Sequence, residues 1–165
     1  MIKSQTSVLF VSRENAFRGL LAEACLRHLG QGKFKVFSCG VPSLVGQDPN
    51  NWTAIALQTA GMPSDDLRCK SWTEFTRSGA PRMDIVIALD METLHDHPLW
   101  PGQPQTALWA YAPLVAKKAG SAELGLAAVQ TLLSLRRRLE LLVSLHSKVR
   151  NRADLRHDVQ DLAHI

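Results

Sequence analysis

The segment of residues 12–18 carries the side chains whose types and spacing are best suited to chemistry in this chain. It follows an apolar run at residues 8–11, which is typical of a strand buried on both faces. It precedes a helical pattern that begins at Gly19. A loop between a buried strand and a helix start directs successive backbone N–H groups into one concavity, where the helix dipole adds positive potential. The segment therefore predicts a binding loop for an oxyanion.

Two side chains in this loop support that prediction. Arg18 carries a planar guanidinium that matches two oxygens of a tetrahedral oxyanion. Asn15 tolerates a left-handed backbone conformation, and its amide can tie the loop together. The alternative is that both are ordinary residues at the start of a helix. We take Ser12 and Arg18 as the candidate catalytic positions. The candidate oxyanion-binding residues are Ser12, Arg13, Glu14, Asn15, Ala16, Phe17 and Arg18.

The predicted elements around this loop alternate between strands and helices. Strand patterns fall at residues 8–11, 33–37, 83–89 and 108–111. Helical patterns fall at residues 19–29, 48–61 and 121–149, and a capping box at Ser71 predicts a further short helix. Such alternation predicts a parallel sheet with right-handed crossovers, in which ligands bind at the carboxyl ends of the strands. The loop at residues 12–18 lies at such an end.

The pattern Ser12-x-x-Asn15-x-x-Arg18 resembles the phosphate loop of the low-molecular-weight protein tyrosine phosphatases and of the arsenate reductases built on that fold. In that family the pattern is Cys-x-x-Asn-x-x-Arg-Ser. Further segments resemble the family in the same order, and those at residues 83–87 and 98–104 resemble its arsenate-reductase-like branch. These segments are residues 37–40, 67–75, 83–87 and 98–104. The similarity covers about residues 7–145.

The resemblance implies an α/β fold in which a four-stranded parallel sheet is flanked by helices in three Rossmann-like layers. It places a phosphatase-like domain at residues 1–149. Residues 150–165 are highly charged, and we expect them to form a mobile or loosely docked C-terminal tail.

The residues that would perform the family's reaction are the ones that differ here. In the family, a cysteine thiolate attacks phosphorus, an arginine holds the oxyanion and an aspartic acid protonates the leaving oxygen. Here Ser12 stands at the position of the cysteine, Gly19 at that of a serine which hydrogen-bonds the thiolate, and Ala112 at that of the aspartic acid. Leu89 also stands where the arsenate-reductase-like branch shows a cysteine. Serine is a weak nucleophile unless a base lies beside it.

These differences lead to a hypothesis of a pseudoenzyme that binds phosphate, arsenate or a phosphorylated ligand without cysteine-based catalysis. One alternative is a weakly active phosphatase that uses Ser12 or a water molecule, or an enzyme related to arsenate reductase. Another is an active phosphatase in which serine was introduced for cysteine, which explains Ser12 but not Gly19 or Ala112. A role in protein interaction through the last helix and the tail is a further alternative.

Composition narrows the class of protein. A length of 165 residues suits one domain, and 19 basic against 15 acidic residues give a net charge of +4. That modest excess suits small anionic ligands rather than nucleic acid. Cys25, Cys39 and Cys69 have no paired spacing, and His95 and His97 are too isolated for a metal motif, so we predict neither a metal nor a cofactor.

The remaining expectations concern location. The amino-terminal residues run directly into the first predicted strand, which leaves no room for a signal peptide. No apolar run reaches the length of a membrane span. Together with the unpaired cysteines, this indicates a cytoplasmic protein with no membrane partner.

Overall fold

The computed structural model describes residues 5–114, 120–146 and 152–165, which form four strands and five α-helices. The strands are β1 (Thr6–Ser12), β2 (Phe34–Gly40), β3 (Ile85–Ala88) and β4 (Gln105–Leu108). The helices are α1 (Arg18–Leu29), α2 (Asn51–Thr59), α3 (Met91–Asp96), α4 (Ser121–His146) and α5 (Arg152–Leu162), with a 3-10 turn at Trp72–Phe75. The strands are all parallel and lie in the order β2-β1-β3-β4. The predicted four-stranded α/β fold is confirmed.

Strand β1 lies at the centre of the sheet, and its register fixes where the candidate loop emerges. Ser12 pairs with Gly40 at the end of β2, and Val11 pairs with Ala88 at the end of β3. The carboxyl ends of three parallel strands therefore meet at one edge of the sheet. The chain segments that follow these strands converge on the loop that begins after Ser12.

The two faces of the sheet bury separate hydrophobic clusters. Successive side chains of a strand point to opposite faces, so Val8 and Phe10 join one cluster while Leu9 and Val11 join the other. The larger cluster packs against helices α1, α2, α4 and α5. The smaller one contains residues of the 3-10 turn and of the loops. Both faces of β1 are thus buried, as its continuous apolar run predicts.

Helix α4 confirms the long amphipathic helix predicted at residues 121–149, as far as His146; residues 147–149 lie outside the described residues. Its buried residues are Ala128, Leu132, Leu135, Leu139 and Leu142. These positions recur at a spacing of three or four residues and form one face in the larger cluster, where α4 packs against α1, α2 and α5. The predicted apolar positions Leu124, Val129 and Leu145 lie at the margins of that face, where they are half-buried.

Strand β4 lies three residues before its predicted position of 108–111. It is an edge strand, and Gln105 and Thr106 are only partly covered. The prediction relied on runs of apolar residues. It missed this strand because an edge strand needs no continuous apolar sequence. The apolar residues that carried the prediction follow the strand, where Trp109 and Tyr111 donate their backbone N–H groups to Ala88 and Leu89.

The predicted capping box at Ser71 forms only in part. The Ser71 hydroxyl accepts a hydrogen bond from the backbone N–H of Thr73 at 3.2 Å. The carboxylate of Glu74 instead pairs with Arg68, at 2.7 Å from its guanidinium. The segment that follows is a short 3-10 turn at Trp72–Phe75.

The expectation of a loosely docked tail is wrong for residues 152–165. They contain α5, whose residues Leu155, Val159 and Leu162 are buried in the larger cluster. These apolar residues recur four and three positions apart, which is helical spacing, but the charged residues between them hide the pattern. The predicted boundary between residues 149 and 150 lies outside the described residues. None of the helices that the structure describes is long and apolar enough to cross a membrane.

Replacing Leu155 by alanine is expected to lower the free energy of unfolding by about 2–4 kcal/mol, because it opens a cavity where α5 meets the core. The matched control is Leu133→Ala on α4, where the side chain is 51% exposed. That control should change the free energy by less than about 0.5 kcal/mol. Urea titrations of both variants measure the difference, and equal effects would show that α5 is not docked.

Candidate functional site

Residues 12–18 form a loop around a cavity of about 60 Å³. That volume is several times the roughly 10–15 Å³ that one water molecule needs. Of the predicted oxyanion-binding residues, all but Arg13 line the cavity. The rest of the lining comes from Asn50, Pro113 and Leu114. The structure therefore brings the predicted residues together, and it adds a wall from the start of α2 and another from the segment after β4.

Two carbonyl groups of this loop, those of Arg13 and Ala16, are bonded to the surrounding protein. The carbonyl of Arg13 accepts from the backbone N–H of Val41 at 2.9 Å. The carbonyl of Ala16 accepts from the N–H of Asn50 at 2.9 Å and from the hydroxyl of Thr53 at 2.7 Å. By contrast, the backbone N–H groups of residues 14–17 have no acceptor among the described residues. The loop thus resembles a helix start in leaving its donors unused.

Asn15 fixes the shape of the loop. Its backbone lies in the left-handed region at φ 61°, which asparagine tolerates better than most residues. Its side chain is buried and bonded at both ends. The amide nitrogen donates to the hydroxyl of Ser38 at 2.9 Å, and the amide oxygen accepts from the backbone N–H of Lys70 at 2.8 Å. The loop is therefore tied both to β2 and to the segment before the 3-10 turn.

A buried charge pair lies behind Asn15 and was not predicted. The carboxylate of Glu23 accepts from the hydroxyl of Ser38 at 2.5 Å and from the ammonium of Lys70 at 3.1 Å. Its other oxygen lies 2.6 Å from the guanidinium of Arg27. The sequence did contain a signal, because Glu23 lies among the apolar residues of α1 where a helix would bury it. A buried carboxylate of this kind needs its partners, since removing one leaves an uncompensated charge.

Gly19 makes room for this arrangement. A Cβ atom at this position would lie 2.8 Å from the amide nitrogen of Asn15 and 3.0 Å from the hydroxyl oxygen of Ser12. Neither side chain can move freely, because Asn15 is bonded at both ends and Ser12 is buried. The glycine therefore permits the close packing of the loop on the first turn of α1.

Arg18 is held at the edge of the cavity and is only 7% exposed. One terminal nitrogen donates to the carbonyl of Tyr111 at 2.8 Å, and the other lies 3.3 Å from the carboxylate of Asp90. Burial lowers the pKa of Arg18 from its ordinary value, and the nearby carboxylate of Asp90 opposes that shift. Arginine stays protonated in proteins, and its guanidinium has five N–H donors. Two of them are engaged within the described residues, which leaves the others to a bound anion.

Asp90 is a site residue that the sequence did not reveal. It follows β3 and caps α3, where it accepts from the N–H of Thr93 at 2.8 Å and from the hydroxyl of Thr93 at 2.7 Å. Its second oxygen accepts from the backbone N–H of Arg13 at 3.1 Å as well as facing Arg18. The sequence did offer a signal for Asp90. It follows a predicted strand of a parallel sheet and precedes a threonine by three residues, which is the spacing of a helix cap.

The charges around the loop are largely paired with each other. Arg18 faces Asp90, and the guanidinium of Arg13 turns away from the cavity to Glu92 at 2.7 Å. The latter pair is 46% and 61% exposed, so it adds little to stability. An anion would therefore be attracted by the unused backbone N–H groups, the start of α1 and the free donors of Arg18 rather than by a large net charge.

The structure supplies little to activate Ser12. Its side chain is buried at the end of β1, and no described residue forms a hydrogen bond with its hydroxyl. Pro113 and Leu114 line the cavity, but the residue before them is Ala112, which has no acidic group. The acidic residues near the cavity are Glu14, which lines it, and Asp90, which faces Arg18.

The three cysteines of the chain also do not have the properties of a catalytic nucleophile. Burial raises the pKa of Cys25 to about 12 and raises that of Cys39 as well. Cys69 is half-buried, and burial raises its pKa too. Because the thiolate is the reactive form of cysteine, none of the three is activated as a nucleophile. Within the described part of the chain, no group of three or more His, Cys, Asp or Glu residues could hold a metal ion.

Comparison with known proteins agrees with the fold. Residues 7–106 match the family model described as low molecular weight phosphotyrosine protein phosphatase. No curated protein matches the chain significantly.

Several solved structures are similar to this chain. An arsenate reductase from Archaeoglobus fulgidus DSM 4304 is 19% identical with a TM-score of 0.63, over 83% of this chain and 98% of that one. An arsenate reductase in the phosphate binding state is 21% identical with a TM-score of 0.67, over 86% and 98%. The YwlE arginine phosphatase, in a mutant with a phosphorylated active site serine, is 19% identical with a TM-score of 0.65, over 89% and 99%. At these identities the likeness shows the fold alone.

Adding a methyl group at Gly19 should disturb the loop. Gly19→Ala is expected to lower the free energy of unfolding by about 1–3 kcal/mol, because the new Cβ overlaps Asn15 and Ser12. Gly46→Ala is the matched control, since its Cβ would come no closer than 3.9 Å to another atom. Chemical denaturation of both variants provides the measurement. A neutral Gly19→Ala would contradict the packing described here.

Proposed function

Because this chain belongs to the low molecular weight phosphotyrosine protein phosphatase family, we propose that its loop of residues 12–18 binds phosphate or a similar tetrahedral oxyanion without cysteine-based catalysis. The observation that carries the proposal is the hydrogen bonding of the loop's backbone groups. The carbonyls of Arg13 and Ala16 are bonded to the surrounding protein, while the N–H groups of residues 14–17 have no acceptor among the described residues. Such a loop at the start of a helix is an anion site.

Preorganisation supports the proposal. An anion site is effective when its donors are fixed before the ligand arrives. Asn15 is bonded to Ser38 and Lys70, and Arg18 is bonded to Tyr111 and faces Asp90, so both residues are positioned by the protein itself. A related fold is described as an arsenate reductase in the phosphate binding state, which supports an anion of this shape.

The proposal that the loop works without cysteine-based catalysis is based on Ser12, Cys39 and Leu89. Ser12 occupies the place of the family's nucleophile and has no basic partner among the described residues. The reductase alternative needs further reactive thiols, but Cys39 is fully buried with a raised pKa, and Leu89 lies where the related branch shows a cysteine. We therefore favour oxyanion binding over arsenate reduction.

Calorimetric titration with inorganic phosphate tests this proposal. Arg18→Ala removes a charged donor, and such hydrogen bonds contribute about 1.5–3 kcal/mol, so affinity should fall about ten- to a hundredfold. Arg77→Ala, at an exposed position, removes the same charge and should leave affinity unchanged.

A further variant separates a loss of phosphate binding from a loss of folded protein. Arg18→Lys keeps the charge but not the planar fork, so it should bind phosphate with intermediate affinity. Thermal unfolding of each variant confirms that it is folded at the titration temperature. Equal affinities for Arg18→Ala and the unaltered chain, or no saturable binding of phosphate, would exclude the proposal.

A second candidate is slow phosphoryl transfer to Ser12. It is favoured by the similar structure of the YwlE arginine phosphatase, a mutant with a phosphorylated active site serine. In this step the Ser12 hydroxyl oxygen attacks phosphorus, the bond from phosphorus to the leaving oxygen breaks, and the hydroxyl proton passes to water. With no base at Ser12 among the described residues, the step would be slow.

Mass spectrometry after incubation with 4-nitrophenyl phosphate tests this candidate. It expects one phosphoryl group on Ser12 and release of 4-nitrophenol, both abolished in Ser12→Ala and unaffected by a thiol-alkylating reagent. If phosphate binds but neither product appears, this candidate is excluded while binding stands. Ser12→Cys shows whether thiolate chemistry alone restores turnover, since a thiol at a helix start ionises readily.

A further inference from the structure

The chain segment after β4 connects Arg18 to a distant part of the fold. The carbonyl of Tyr111 accepts the 2.8 Å hydrogen bond from Arg18. This peptide is held to the sheet, because the backbone N–H of Tyr111 donates to Leu89 at 3.0 Å and that of Trp109 donates to Ala88 at 2.8 Å. The position of the arginine therefore depends on how firmly the segment from Trp109 to Tyr111 is held.

Arg138 of α4 holds the side chains of this segment. Its guanidinium carbon lies 5.0 Å from the ring centre of Tyr111 and 5.8 Å from that of Trp109. Both distances are within the range of a cation–π contact. A terminal nitrogen of Arg138 also donates to the carbonyl of Ile165 at 3.0 Å. One side chain thus joins the segment after β4 to the residues that follow α5.

Helix α5 makes two more contacts with the same region. The indole N–H of Trp109 donates to the carbonyl of Val159 at 3.1 Å. The amide of Gln160 donates to the carbonyl of Thr106 in β4 at 3.1 Å. Trp109 is fully buried, and a buried indole N–H requires such a partner. Loss of α5 would leave that donor without its acceptor.

We propose that Arg138 and α5 are positioning elements of the anion site, which act on Arg18 through Tyr111. The inference rests on the proposed function of the loop and extends it to residues that touch neither the loop nor the anion. Pro113 and Leu114, which lie two and three residues after Tyr111, line the same cavity. The segment that α5 holds therefore both anchors the arginine and forms a wall of the cavity.

Phosphate titration of Arg138→Ala tests the inference. Loosening Tyr111 should weaken phosphate binding about three- to thirtyfold, the range seen for residues coupled to a site without touching the ligand. Arg137→Ala is the matched control, because it removes the same charge from the next, exposed position of α4. Arg138→Lys keeps a cation near both rings and should recover part of the affinity.

A second measurement does not depend on phosphate. Amide hydrogen exchange of Tyr111 and the NMR signals of the Arg18 guanidinium report how firmly the two groups are held. Both should change in Arg138→Ala, and in Leu155→Ala, which loosens α5 where it packs against the core. Neither should change in Arg137→Ala. Thermal unfolding of each variant verifies that the comparison is made on folded protein.

The outcomes separate the two proposals. If the unaltered chain fails to bind phosphate, the proposed function is wrong, while the exchange data still decide whether α5 fixes Tyr111. If phosphate binds and Arg138→Ala leaves the affinity, the Tyr111 exchange rate and the Arg18 signals unchanged, the positioning role is wrong. An equal loss of affinity in Arg137→Ala would also overturn it, because the effect would then be one of charge alone.

Discussion

The left-handed backbone of Asn15 is the constraint on which the loop depends. A residue other than glycine rarely adopts this conformation, and it persists only where surrounding contacts hold it. Here those contacts are two hydrogen bonds of one buried amide, to Ser38 and to the backbone of Lys70. Ser38 and Lys70 both contact the carboxylate of Glu23 as well. A single buried network therefore joins the loop to β2, to α1 and to the segment before the 3-10 turn.

The loop and its network contain residues that the sequence predicts and residues that only the folded structure reveals. The buried strands, the helix after the loop and the conspicuous Asn15 and Arg18 could be predicted, because each depends on local pattern and spacing. The pairing of Glu23 with Lys70 could not, since the two lie 47 positions apart and only the fold brings them together. Asp90 was missed for the same reason: its role depends on Arg18, which lies at the start of α1 and meets Asp90 only in the fold.

The other discrepancies arise from solvent exposure. Strand β4 lies at the edge of the sheet and needs no continuous apolar run, so the apolar residues after it attracted the prediction instead. Helix α5 buries only a narrow stripe, and its many charged residues resemble those of a solvated tail. In both segments most residues are polar, and this hides the few side chains that are buried in the fold.

Ser12 and Gly19 are best understood together. The position that a Cβ at residue 19 would occupy lies only 3.0 Å from the Ser12 hydroxyl oxygen and 2.8 Å from the amide of Asn15. The family's serine at this position would therefore require the side chains of Asn15 and Ser12 to shift. A single replacement of cysteine by serine explains neither Gly19 nor the missing acid at Ala112. At these three positions the chain lacks a group that the family's reaction uses, whereas Asn15 and Arg18 have the hydrogen bonds and ion pair that fix an anion-binding loop.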